Sequence, residues 1–225
     1  MPPRLPFAFV DTLTDNFDEF VEGFFTTVQI VVVSFVIAMV VGTLVAAFRV
    51  APNAWLQRLG ALYVEFFRNI PLLVLLFISF PGLRRSGVEI SAYTAGVASL
   101  GLYTAAYVSE ALRSGVFSVS KGQIEASLSL GFSYPETLRR IVLPQAFRTV
   151  ISPLGSLIIA MIKNSAIIGG SILALDDLLK TGRVIASRTF DVIPAFVWAA
   201  SGYLILTGLA TVAIRVLESR YAVRR

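Results

Sequence analysis

Histidine and cysteine are both absent from the 225 residues. Without imidazole or thiolate, the usual zinc sites, Cys/His catalysis, disulfides and a histidine pH switch are excluded. Charge is scarce too. Asp, Glu, Lys and Arg make up 15% of the chain, against about 25% in soluble domains. The three lysines are Lys121, Lys163 and Lys180, and none follows a glycine. A Walker A loop needs Gly-Lys before Ser or Thr, so that backbone amides and the ammonium hold phosphates. The chain therefore has no such loop and is not its own ATP-driven motor. In place of charge there is apolar bulk, 56% of residues, above the roughly 45–50% of soluble domains. That excess points to the membrane class. The net charge of +5 raises the question of nucleic acid. The basic residues sit between apolar runs, however, as membrane topology dictates, so no nucleic-acid partner is expected.

A spanning helix needs about 20 apolar residues to cross roughly 30 Å of hydrocarbon. Charge-free runs extend over 23–48, 90–109 and 192–214. The run over 69–83 is short, so its helix is expected to start near Leu59 and take in Glu65 and Arg68. The run over 149–175 is interrupted by Lys163 with Asn164 and Ser165. The expectation is an all-α polytopic membrane protein with five spans, near 24–48, 59–81, 90–112, 149–172 and 192–216.

An odd number of spans puts the termini on opposite sides. One set of connecting segments carries twelve Arg or Lys, and the other six, partly offset by Asp176, Asp177 and Asp191. The positive-inside rule then makes the C terminus cytoplasmic and the N terminus external. Residues 1–22 lack the basic start and apolar core of a cleavable signal. Leu13, Phe17, Phe20, Val21 and Phe24 recur at helical spacing and predict a short amphipathic helix on the outer surface. The expected division is an external segment 1–22, a membrane domain 23–218 with a cytoplasmic loop 114–148, and a tail 219–225. Small residues at every fourth position, Ala38, Gly42 and Ala46, then Gly101, Ala105 and Ser109, predict close helix seams.

The loop 114–148 is too long for a turn between spans. Ser120-Lys121-Gly122-Gln123 and Ser133-Tyr134-Pro135-Glu136 both fit capping boxes. Gly131 is placed to close the first helix in the left-handed conformation. Pro144 is placed to break or bend the second. Two short helices at an angle on the membrane surface make a docking knuckle.

At this loop the sequence resembles the permease subunits of ABC importers. Glu125-Ala126-Ser127, three residues, Gly131, nine residues, then Ile141-Val142-Leu143-Pro144 is similar to their E-A-A, three residues, G, nine residues, I-x-L-P pattern, with Ser127 for the second Ala. Tyr107 to Gly115 is similar to the A-E-x-x-R-G-G approach in permeases for polar amino acids. Arg68-Asn69-Ile70-Pro71-Leu72-Leu73 resembles their R-G-T-P-L-L segment, and Lys163-Asn164-Ser165-Ala166-Ile167 their K-x-T-S-L segment, both with substitutions. The resemblance covers about 20–218. It implies a coupling helix, with Gly122, Glu125, Ala126, Ser127, Gly131, Leu143 and Pro144 engaging the ATPase. It implies two ATPase subunits, a second permease subunit, identical or paralogous, and an extracytoplasmic solute-binding protein. ATP and Mg would sit on the ATPase, with no cofactor on this chain. The cargo would be a polar amino acid, and the segments around Arg68 and Lys163 are most similar to those of permeases for glutamate-type substrates. The bacterial cell membrane is the implied location.

Polar groups inside spans mark pathways or structural pairs. Glu65 and Arg68, and Glu110 and Arg113, each stand three residues apart, and serve either as anchors or in binding. Lys163 either faces the path with Asn164 and Ser165 or snorkels to the headgroups. Arg68 or Lys163 suit a carboxylate, and Glu65 or span hydroxyls an ammonium. Asp176-Asp177 reads as a solvated outer loop. A secondary transporter or channel would share the spans but leave the capped knuckle without a purpose, and a membrane enzyme would lack a catalytic cluster.

Overall fold

The computed structural model describes residues 5–173 and 175–221, with side chains described from residue 9. The expected outermost residues of both termini, including Arg4, Arg224 and Arg225, lie outside the described residues. Every regular element among the described residues is helical. The order is α1 (Leu5–Thr14), α2 (Phe17–Val50), α3 (Ala54–Asn69), α4 (Leu72–Phe77), a π-helical turn (Ile78–Gly82), α5 (Leu83–Arg85), α6 (Ala92–Phe117), α7 (Lys121–Ser129), α8 (Tyr134–Thr137), a second π-helical turn (Leu138–Val142), α9 (Leu143–Gly170), α10 (Leu178–Thr189) and α11 (Val192–Tyr221).

Among the described residues, three helices are long and apolar enough to cross a membrane: Phe17–Val50, Tyr134–Gly170 and Val192–Tyr221. The pair Ala54–Asn69 and Leu72–Arg85 makes a fourth if it is taken as one span, although it bends by 99° at the break. The chain is thus an all-α, multi-pass membrane protein. α6 has the length, at 26 residues, but its Ala, Gly, Ser, Thr and Tyr content keeps it below that apolar standard.

The expected continuous helix over 59–81 is broken. Ile70 precedes a proline, which disfavours helical geometry, and Pro71 is extended at φ −60°, ψ 138°. α4 then restarts, with the Val74 and Leu75 amides bonded back to Pro71 O at 2.9 and 3.2 Å. The expected surface helix at the N terminus is likewise in two pieces. α1 ends at Thr14, and the second piece is the beginning of α2. Pro144 does not break its helix. The π-helical turn at Leu138–Val142 lies just ahead of it, where the ring would meet the preceding carbonyls, and the helix runs on to Gly170.

The chain divides into two compact units. One comprises Met1–Val36, Ile70–Gly101 and Ile159–Leu209. Its core joins Phe20, Leu178, Ile185, Ala186, Ala195 and Ala199, with Leu13, Phe24 and Trp198 packed against it. The Trp198 indole donates to Phe9 O at 2.7 Å. Arg188 bonds Asn16 and, at 2.7 Å, Glu19. These bonds fasten the N-terminal helices to α10 and α11.

The other unit comprises Ile37–Asn69, Leu102–Ile158 and Ala210–Arg225. Val45, Val64 and Ala106 form its core with Val41, Tyr63 and Phe67. Lipid tails are as apolar as leucine, so helix association in a bilayer depends on close packing rather than on water exclusion. The small-residue seam supplies it. A Cβ on Gly42 would stand 2.7 Å from Val108 and 2.9 Å from Ala105 O, so α2 and α6 touch where the spacing predicts.

Candidate functional site

Ser120 stands at the N-cap of α7, but the predicted box does not form there, because the Ser120 side chain makes no capping bond. The box at Ser133 does form. The Glu136 carboxylate accepts from the Ser133 amide at 3.0 Å and from its hydroxyl at 2.8 Å. Between them Gly131 adopts φ +89°, and the Phe132 amide bonds Ser127 O at 3.2 Å. This is a glycine C-terminal closure. Ser127 is buried, and its hydroxyl pairs with Thr137 Oγ1 at 2.8 Å. That contact needs a small hydroxyl residue and ties α7 to α8.

The remaining motif residues point outward. Gly122, Glu125, Ala126 and Gly131 are exposed, as are Leu143 and Pro144 at the start of α9. Glu125 has no ion pair among the described residues. Leu128 is 43% and Leu130 80% exposed. α7 therefore presents a free carboxylate beside uncovered leucines, a surface of the kind that partners bury. The second expected helix of the knuckle is the opening of the long helix through α9, so α7 alone stands apart.

In the same unit a polar cleft of about 430 Å³ is lined by Arg49, Glu65, Arg68, Asn69, Tyr107 and Glu110, with Ala61 and Val64. Glu110 is its hub. It pairs with Arg49, with Arg113 at 3.5 Å, and with Arg68 at 4.0 Å. The Arg68 guanidinium also lies over the Tyr107 ring, 5.5 Å from its centre. Spacing anticipated the Glu110–Arg113 pair. Glu65 and Arg68 form no ion pair with each other, since Arg68 turns to Glu110 and Tyr107, leaving the Glu65 carboxylate open to the cleft. Arg49 was legible only as a topological charge. Its role depends on the α2–α6 seam, which no local pattern encodes.

Lys163, Asn164 and Ser165 belong to the other unit, not to the one that holds this cleft. Lys163 is exposed, Asn164 half-buried and Ser165 buried, its hydroxyl donating to Ile162 O at 2.7 Å.

Asp177 corrects one expectation outright. Asp176 is exposed and pairs with Lys180 at 2.6 Å, but Asp177 is fully buried. Its carboxylate caps α10 by accepting from the Lys180 amide at 2.9 Å and takes the Tyr203 hydroxyl at 3.3 Å. Gly169 leaves it the room, since a Cβ there would collide with the carboxylate. Burial pushes this carboxyl up to about 6 against these bonds. The sequence signal was an acidic residue three before Lys180, at a helix start. No group of three or more His, Cys, Asp or Glu among the described residues could hold a metal.

The model of the family described as "Binding-protein-dependent transport system inner membrane component" matches residues 38–223. The chain is 39% identical to the probable glutamine ABC transporter permease protein GlnM of Bacillus subtilis (strain 168), over 94% of this chain and 97% of that one. It is 36% identical to the glutamate transport system permease protein GluC of Corynebacterium efficiens, over 90% and 94%. Among solved structures, an amino acid ABC transporter crystallised with histidines superposes with a TM-score of 0.87 at 29% identity, covering 92% of this chain and 96% of that one.

Proposed function

Given that this chain belongs to the family of binding-protein-dependent transport system inner membrane components, we propose that it carries a polar amino acid inward through the bacterial cell membrane, driven by ATP hydrolysis on separate subunits. The observation that carries this reading is α7, a short helix bearing the Glu125-Ala126-Ser127 motif, closed by Gly131, with Glu125 and Leu128 exposed three residues apart on it.

In this reading α7 is a coupling helix. A state change in the ATPase moves the permease only if the two subunits touch differently in the two states. A rigid helix fastened through Ser127 and Thr137 to the beginning of a 37-residue helix is a lever suited to that. Gly122, Glu125, Ala126, Gly131, Leu143 and Pro144 form the contact surface. ATP and Mg sit on two ATPase subunits, and a second permease subunit and an external solute-binding protein complete the importer. α6 supplies a fifth span beside the broken α3–α5 pair. The arginine distribution sets the N terminus outside and the C terminus, with α7, in the cytoplasm.

The cleft serves the cargo. A zwitterion needs a donor pair for its carboxylate and an acceptor for its ammonium, and Arg68 and Glu65 offer both. Lys163, Asn164 and Ser165 line a further part of the route. The relatives named for glutamine and glutamate support a polar amino acid, and a glutamate-type cargo is the narrower form of the proposal.

The test is purification of the tagged chain from its native membrane, wild type beside Glu125→Ala/Gly131→Leu, with co-purifying subunits identified and uptake of labelled glutamine and glutamate measured. An ATPase recovered with wild type and lost from the double variant, with uptake lost in parallel, is the expected result. Wild-type protein that transports with no ATPase attached would make it an ATP-independent transporter instead.

A further inference from the structure

A second cavity in the unit that holds α7 is apolar where the first is polar. It is a groove of about 380 Å³ between the end of α2, the end of α6 and the start of α9. Ala47, Val50, Val116, Leu143 and Phe147 are among its walls, and Arg113 is the one charged group among the described residues that line it. Small residues on α2 give it depth, while Phe147 and Leu143 are 61% and 48% exposed.

Arg113 is unusual here. Its Nε is buried and has no hydrogen-bond partner among the described residues. Its guanidinium is held over the Phe117 ring at 5.5 Å, and one terminal nitrogen reaches Glu110 only at 3.5 Å. An orphaned buried donor is costly. The Arg113 side chain is 35% exposed and lines the groove, so an acceptor oxygen entering there would meet a guanidinium held by only one long bond to Glu110. The helix that supplies Leu143 and Phe147 also carries Arg139, Arg140 and Arg148, all exposed. A hydrocarbon-lined slot with a guanidinium whose one carboxylate partner is shared with Arg49 and Arg68, on a surface rich in arginine, suits a phospholipid with a negative headgroup.

We propose that this groove binds one anionic phospholipid, an acyl chain lying against Ala47, Val116 and Phe147 and the phosphate accepting from Arg113. The proposal rests on the reading above only in placing this surface at the cytoplasmic leaflet. Such a lipid would wedge the α2, α6 and α9 ends together beside the coupling helix.

The experiment uses the purified complex equilibrated with equal phosphatidylglycerol and phosphatidylethanolamine, with retained lipids counted by native mass spectrometry. Wild type is expected to keep one phosphatidylglycerol per chain. Arg113→Gln is expected to lower the ratio of phosphatidylglycerol to phosphatidylethanolamine about fivefold, the effect of one basic group near an anionic lipid, and Arg113→Lys to recover part of it. Ala47→Trp fills the groove and is expected to remove the retained lipid of either kind, which keeps the test intact if Arg113→Gln fails to accumulate. Retention by Ala47→Trp, or an unchanged ratio in Arg113→Gln, overturns the proposal. So does rapid disulfide formation between copies of Phe147→Cys in this otherwise cysteine-free chain, which would assign the groove to a second copy. Lipid retention is read independently of ATPase recovery, so failure here and failure of the importer reading are separable.

Discussion

Arg49 at the end of α2 and Glu110 in α6 meet in an ion pair between residues 61 positions apart in sequence. The pair is mostly shielded, with the two side chains 15% and 27% exposed. Glu110 answers Arg68 and Arg113 as well, so three guanidinium groups depend on one carboxylate.

Glu110→Gln should therefore destabilise more than loss of an ordinary surface pair. Three cations lose their counter-charge, and a cost of about 1–3 kcal/mol is expected from charged hydrogen bonds lost in a half-buried setting. Thermal unfolding in detergent reads this. In a double-mutant cycle, Arg49→Met should cost much less in the Glu110→Gln variant than in wild type. Additive effects would mean that the two groups do not interact.

Two glycines in and after the same short helix should respond with opposite signs. Gly131 sits at φ +89° with open space around it, so Gly131→Ala adds no clash but places a Cβ in the left-handed region, at a cost of about 1 kcal/mol. Gly122 lies inside α7 at ordinary φ with nothing within reach, so Gly122→Ala should be neutral or stabilise by up to about 1 kcal/mol. Amide exchange in α7 is a local readout: protection should fall with the first variant and hold or rise with the second.

The two glycines also show what the chain discloses locally. Gly131 was legible as a helix stop because its neighbours set the register of α7, and Ser133 with Glu136 marked the next start. Ser120 carried the same pattern, yet its side chain leaves the box unmade while α7 still forms. Three spans, or four if the bent pair counts as one, were legible as charge-poor apolar runs, and the small-residue faces of α2 and α6 were legible by their spacing, though not that the two faces meet. The hub at Glu110 was half legible. Arg113 is its helical neighbour, but Arg49 and Arg68 arrive from other helices by tertiary packing. Local charge spacing suggested Glu65 for Arg68, and the longer reach to Glu110 and Tyr107 won. Ile70-Pro71 was written in the sequence as a breaker, though the need for 20 apolar residues argued for a continuous span there.

The α2–α6 seam makes its own prediction. A Cβ at Gly42 would stand 2.9 Å from Ala105 O and closer still to Val108. Backbone cannot yield as a side-chain tip can, so Gly42→Ala should cost about 1–3 kcal/mol, as overpacking does. Val108→Ala on the same background should recover part of the loss by removing Cγ1, one of the two Val108 atoms that the new methyl meets, while Cβ stays. If Gly42→Ala unfolds at the wild-type temperature, the two helices are not in contact at this level.

Asp177 gives a pH dependence with a definite sign. Its carboxyl is raised to about 6 by burial, from an ordinary value of 3.8, so the folded chain holds this proton more tightly than the unfolded chain does. The contribution to stability is then fully present below about 3.8 and is lost as pH rises to about 6, beyond which the buried charge costs on the order of 2–3 kcal/mol. Asp177→Asn keeps an N-cap for α10 and cannot ionise. The difference in unfolding temperature between Asp177→Asn and wild type should therefore be small near pH 4.5 and grow in favour of the variant up to pH 7.5. Taking the difference cancels every group the two proteins share. A constant difference across that range would mean that Asp177 titrates alike in the folded and unfolded chain, and that the Lys180 amide and Tyr203 hydroxyl fully compensate its burial.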